Sequence, residues 1–184
     1  MSKKICIIYT ETNGLHQCNE DVSKKNLYNF ARLVVLNYEI GTYEKKKFKS
    51  ILKVRTIIKP RCMYISEESS NIHKITMQKA TDEGCEIEDT LLKFIEDLSS
   101  VSVIVSHNID FHLKTIIAEM VRYNINFKMS NYTIIDIINF YHKLSYPKLS
   151  VLYDHLYSDK KEQNNLEKIK LCFIKLYSNY EKSI

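Results

Sequence analysis

The sequence predicts one α/β domain over residues 1–184, built on a mixed sheet flanked by helices. Two patterns carry this reading. Three apolar, β-branched runs come first and are separated by turn-forming residues. After them, short apolar strands alternate with amphipathic helical segments. Successive strands joined by a polar tip form an antiparallel meander, and strands separated by helices join in parallel through crossovers. No repeat, low-complexity tract or linker marks a domain boundary.

Residues 3–9 (KKICIIY) read as a buried strand ending before Asn13-Gly14. Residues 15–29 are polar and read as a loop. Residues 31–42 and 48–59 read as strands, with YEKKK as the hairpin tip and Pro60 as the stop. Residues 65–85 show no sustained period and read as irregular. Residues 86–98 place Ile87, Leu91, Leu92, Phe94, Ile95 and Leu98 at helical spacing, with acids in the first turn. Residues 101–105 form a short strand. Asn108 is the expected N-cap of a helix to about Tyr123. A last strand is expected at 132–135, then helices at 136–144, 149–157 and 163–180, with Pro147 breaking the series.

Hydrophobic residues make up 45% and charged residues 27%, which supports a full core and excludes general disorder. No apolar run reaches the roughly 18 residues that span a bilayer. The N-terminal apolar stretch meets Glu11 at once, unlike a signal peptide. The five cysteines are dispersed with no CxxC, which predicts reduced thiols and a cytoplasmic setting. The net charge of +5 leans towards polyanionic partners. Lysine outnumbers arginine 23 to 4, and Ile, Asn and Tyr abound, as in chains from AT-rich genomes such as certain viruses, plasmids or parasites. Lysine-rich stretches therefore carry less functional weight here.

Four segments, in order, resemble the motifs of the DEDDh 3′–5′ exonucleases. Strand 5–9 running into Glu11-Thr12-Asn13-Gly14-Leu15 resembles the first motif, Asp-x-Glu-Thr-x-Gly-Leu. His73-x-Ile75-Thr76 resembles the family's His-x-Ile-Thr segment. VIVSHNIDFHLKTIIAEM (103–120) resembles the second motif, His-Asn-x-x-Phe-Asp. KLSVLYDHL (148–156) resembles the helix before the third motif, and Asp136 stands at a family strand end. The resemblance implies a ribonuclease H-like domain with a five-stranded sheet. It also implies two magnesium ions held by four carboxylates, with a histidine as general base.

At those positions this chain differs. The first Asp is Tyr9, the Glu is Glu11, and the second-motif Asp is His112. Matching the third motif to 163–169 makes the base Gln163 and the last Asp Lys168. Four negative charges become a sum near zero, too little for a divalent pair. Glutamine accepts no proton at neutral pH. The expectation is a degenerate, inactive domain with no resident cofactor. Mg²⁺ is expected only if carboxylates relocate from Asp110, Asp154, Asp159 or Glu167, as an active exonuclease would require.

Other residues carry paired readings. Glu11 is either a relic or an ion-pair partner of Lys168. His107 and Asn108 either line a nucleotide pocket or close a strand and cap a helix. His73 either fixes a turn or lies beside a terminal nucleotide, and the resemblance implies that Thr12 of the first motif contacts nucleic acid. Lys45, Lys47, Lys49, Lys53, Arg55, Lys59 and Arg61 alternate along the chain and predict one basic strand face, either a phosphate track or solvated surface. Tyrosines 132, 141, 146, 153, 157, 177 and 180 are either packing or stacking platforms. The partners in view are single-stranded nucleic acid, a protein, or both, with no membrane role.

Overall fold

The strand β1 (Lys4–Thr12) is apolar on both faces, and it takes the centre of the sheet. The computed structural model describes residues 3–141, 143–157 and 163–180, and the side chains of 179 and 180 are not described. β2 (Leu33–Glu44) and β3 (Lys47–Ile57) add to one side of β1 as an antiparallel meander. β4 (Val103–Ser106) and β5 (Thr133–Asp136) add to the other side in parallel, giving the order β3-β2-β1-β4-β5. This is the mixed sheet that the sequence predicts, with its first and fourth strands adjacent.

Alternation along β1 builds two cores. Cys6 and Ile8 pack with Tyr38, Ile40 and Ile104 beneath α3 (Ile87–Leu98) and α4 (Ile109–Arg122). Ile5 and Ile7 pack with Val103 and Val105 beneath α5 (Leu149–Leu156) and α6 (Asn165–Tyr180), through Leu152, Ile169 and Phe173. No helix among the described residues is long and apolar enough to cross a membrane.

Two segments depart from the expected elements. Residues 65–85 contain α1 (Glu67–His73) and α2 (Met77–Glu83) rather than irregular chain. Each is seven residues long, too short for an apolar period, and is started by a cap. The Ser69 N–H donates to Ser66 Oγ, and the Lys79 N–H donates to Thr76 Oγ1. The helix expected at 136–144 is instead a single 3-10 turn at Ile137–Phe140. The reason is Asp136. Its Oδ1 accepts the N–H groups of Ile138 and Asn108, and its Oδ2 accepts the Ile109 N–H. Asp136 therefore caps α4 from outside. Asn108 occupies the cap position in a left-handed conformation (φ 56°) and makes no side-chain cap bond.

The predicted single basic face is also divided. Lys45 and Lys46 form the β2–β3 hairpin turn, both with positive φ. Farther along, Gly41 opposes Ser50 while Ile40 opposes Leu52, so Ile51 is one extra residue. A Cβ on Gly41 would sit 2.5 Å from the Lys49 carbonyl and the Phe48 ring, so the close approach at this bulge requires glycine. An extra residue inverts side-chain alternation. Lys47 and Lys49 oppose Glu44 and Thr42, on the α3/α4 side. Lys53 and Arg55 oppose Glu39 and Asn37, on the α5/α6 side. Lys59 and Arg61 both pair with Glu86.

Candidate functional site

β1 and β4 run parallel, and their C-terminal ends open into a cleft, the usual location for a ligand in such a sheet. One part, about 790 Å³, is bounded by Tyr9–Leu15, α1, His107–Asn108, Phe111 and the Lys148–Ser150 segment. A second part, about 340 Å³, continues past Tyr9 and Glu11 to Asn37, Lys53, Arg55 and the start of α6. Tyr9, Glu11, Ile72, His73 and Asn165 border both parts, which form one trough. Leu15 and Ile72 project into it, 81% and 74% exposed.

His112 sits at the base of the trough, buried, with its ring 4.9 Å from that of Tyr9. The Thr10 backbone N–H donates to His112 Nδ1 at 3.1 Å. An amide can only donate, so Nδ1 is the acceptor and the proton lies on Nε2. The Thr10 hydroxyl also lies 2.8 Å from Nδ1, and the His107 backbone is a further hydrogen-bond partner of the ring. Burial drives its pKa down to about 3, so the imidazole is neutral, and its Nδ1 is committed to Thr10.

Tyr9 and Glu11 project from the same face of β1. Asn165 Nδ2 donates to the Tyr9 hydroxyl at 2.8 Å, and the phenol in turn hydrogen-bonds the Glu11 carboxylate. Burial pushes the Tyr9 phenol far above its ordinary range, so it does not ionise. Burial also lifts the Glu11 carboxyl to about 7, against the opposing pull of Arg55 and the Tyr9 hydrogen bond. The ion pair expected between Glu11 and Lys168 does not form. Lys168 Nζ lies instead 6.0 Å over the Tyr153 ring.

Neither Gln163 nor Lys168 lines the trough. Asn165 is the α6 residue whose side chain hydrogen-bonds Tyr9 on β1 in the trough, and the match to the third motif missed it. A capping signal was available: the Glu167 N–H donates to Asn164 Oδ1, and this Asn-x-x-Glu pattern fixes the helix start at Asn165. The carboxylates considered for relocation stay away. Asp110 pairs with Lys114, Glu167 pairs with Lys170 and Lys53, and Asp154 is exposed on α5. Asp159 lies outside the described residues.

The remaining expected residues hold the trough's walls. His107 Nε2 bonds the Pro147 carbonyl at 2.8 Å and ties the chain before α5 to the end of β4. Asn108 lines the cleft while its backbone N–H bonds Asp136. His73 Nδ1 accepts the Ile75 N–H and shapes the turn after α1, while its ring borders both parts of the trough. Thr12 Oγ1 donates to the Gly14 carbonyl at 2.6 Å. Lys47 and Lys49 face away, and Arg55 borders the trough. Among the tyrosines, Tyr153 stacks on Tyr157, Tyr177 packs on Phe173, and Tyr146 is exposed. The Tyr180 side chain is outside the described set.

A magnesium pair needs concentrated anionic oxygen. Here a neutral phenol, a committed imidazole and an amide surround one carboxylate, and Glu68 is exposed on α1. No group of three His, Cys, Asp or Glu among the described residues is placed to hold a metal ion. The residues present do not fit such a centre.

The sheet order, with its cleft across β1 and β4, defines a ribonuclease H-like nuclease fold. The profile of the RNase T exonuclease family matches residues 7–169, and the chain belongs to that family. Solved structures of exonucleases share its fold, among them the following three. Product-bound exonuclease I has a TM-score of 0.67 at 13% identity, covering 99% of this chain and 44% of its own. The chain thus spans less than half the length of that protein. The nuclease domain of 3′hExo, a DEDDh family member bound to rAMP, has a TM-score of 0.71 at 13% identity, covering 98% and 93%. A 3′-exonuclease that recognises the histone mRNA stem-loop has a TM-score of 0.69 at 14% identity, covering 98% and 83%. No curated protein matches the chain.

Proposed function

We propose that this protein is a catalytically silent member of the exonuclease family that binds the 3′ end of single-stranded nucleic acid in the β1/β4 trough. The observation that carries the reading is the committed state of His112. Its buried ring is neutral with Nδ1 held by Thr10, and Tyr9 is an un-ionised phenol, so Glu11 is left as the lone family acid in the trough. The trough itself is open, flanked by the exposed side chains of Leu15 and Ile72, with Phe111 on its wall. Apolar flanks of this kind suit a nucleobase. The similar structures carry rAMP, a dA16 oligonucleotide and an RNA stem-loop, which supports the same ligand class here.

The test is incubation of 5′-labelled single-stranded DNA and RNA with Mg²⁺ or Mn²⁺, alongside a binding titration. The expected result is an intact, bound strand. Affinity should fall with salt at a log–log slope of about −0.7 per contacted phosphate. Shortening abolished by a chelator would overturn the silent-site reading. No binding at low salt would overturn the ligand and transfer the role to a protein partner.

A further inference from the structure

We infer that the part of the trough where the family would place its metals takes a phosphate group of the nucleic-acid strand directly, with Arg55 as the countercharge and no cation between them. This inference rests on the proposed nucleic-acid reading and adds how the strand is held.

Three observations carry it. The donor set does not fit a divalent pair, so the phosphate charge must be met otherwise. The β3 bulge turns Arg55 and Lys53 to the α5/α6 side, where both border the smaller part of the trough. The two cations differ in commitment. Lys53 is shared between Glu39, at 3.7 Å, and Glu167, at 3.4 Å. Arg55 makes no ion pair within 4 Å among the described residues, although it acts electrostatically on Glu11. A guanidinium offers a planar fork of donors that matches a phosphate edge without help from a metal. Tyr9 and Asn165 are held by each other and complete a neutral wall opposite. The opposing charge is Glu11, which repels a phosphate rather than recruiting a cation for it.

The experiment is fluorescence anisotropy of a short 5′-fluorescein oligothymidylate against the whole chain, with excess EDTA and again with Mg²⁺. Binding should be the same in both. Arg55→Gln should weaken it about tenfold or more, the scale of a charge-assisted hydrogen bond. At pH 8, where the Glu11 carboxylate is mostly charged, Glu11→Gln should tighten it, because a like charge is removed. The paired change Lys47→Glu and Lys49→Glu should leave it unaltered, and unfolding midpoints would verify that each variant is folded. Binding that needs Mg²⁺, survives Arg55→Gln, or weakens on Glu11→Gln overturns the inference and leaves the nucleic-acid reading standing. No binding by the unaltered chain overturns that reading, and this inference with it.

Discussion

Thr10 and His112, 102 positions apart in sequence, are joined by a backbone N–H on β1 donating to Nδ1 of an imidazole on α4. The bond fixes the tautomer, and burial keeps the ring neutral. The position that the resemblance matches to the second-motif Asp is thus a link between strand and helix in this chain.

His112 should give stability a pH dependence of known sign. The folded pKa, about 3, lies below the ordinary value of 6.5. Between these values the unfolded chain binds a proton that the folded chain refuses. Stability from this residue is therefore complete above pH 6.5 and declines on acidification, by about 1.4 kcal/mol per pH unit. Urea unfolding from pH 7 to pH 4 should show the slope, and His112→Gln should remove that part of it.

Glu11 works in the opposite sense. Its folded pKa, about 7, exceeds the ordinary 4.5, so the folded state holds the extra proton. Its stabilising contribution is full below pH 4.5 and is lost as pH rises through 7. Glu11→Gln should raise the urea midpoint at pH 8 and change it little at pH 4. A lower midpoint at pH 8 would mean that the charged carboxylate is stabilising, as the ion pair expected from sequence would have made it.

Glu119 is 1% exposed and carries a larger load. Its Oε1 meets Arg32 Nε at 2.8 Å, Arg122 at 3.0 Å and the Leu33 N–H at 3.0 Å. Arg122 also donates to the Leu27 and Phe30 carbonyls, so the cluster pins the segment before β2 onto α4. Glu119→Ala leaves two partly buried guanidinium groups without their partner and should cost about 2–3 kcal/mol, below the roughly 3–5 kcal/mol of a fully buried pair, read from thermal or urea unfolding.

The β2–β3 turn offers a gain instead. Lys45 and Lys46 have φ of 49° and 62°, a backbone that suits Asn-Gly. Lys46→Gly should stabilise the chain by roughly 0.5–1 kcal/mol in the same assay.

The sheet was legible because β1, β2 and β4 are apolar runs whose length and order leave few ways to pair. α3 and α4 were legible from apolar spacing. α1 and α2 were not, since seven-residue helices depend on a cap more than on a period. Asp136 was seen as a strand end, but its capping of α4 joins residues about 28 apart, which no local pattern reports. In the trough, Tyr9, Glu11 and His112 are the positions that the family resemblance implies, and all three line the same cleft. Asn165 was missed because family spacing was carried across a segment where the helix begins elsewhere. The basic stripe was misread because strict alternation assumes an unbroken ladder.

That broken ladder has a consequence for how readily the surface could be rewired. Removing Ile51 would restore an uninterrupted pleat and exchange the faces shown by the residues on one side of it. Lys47 and Lys49 would then stand in line with Arg55, and a strand end lying in the cleft would gain a ramp of positive charge leading away from it. A single codon thus separates a local anchor from an extended electrostatic track.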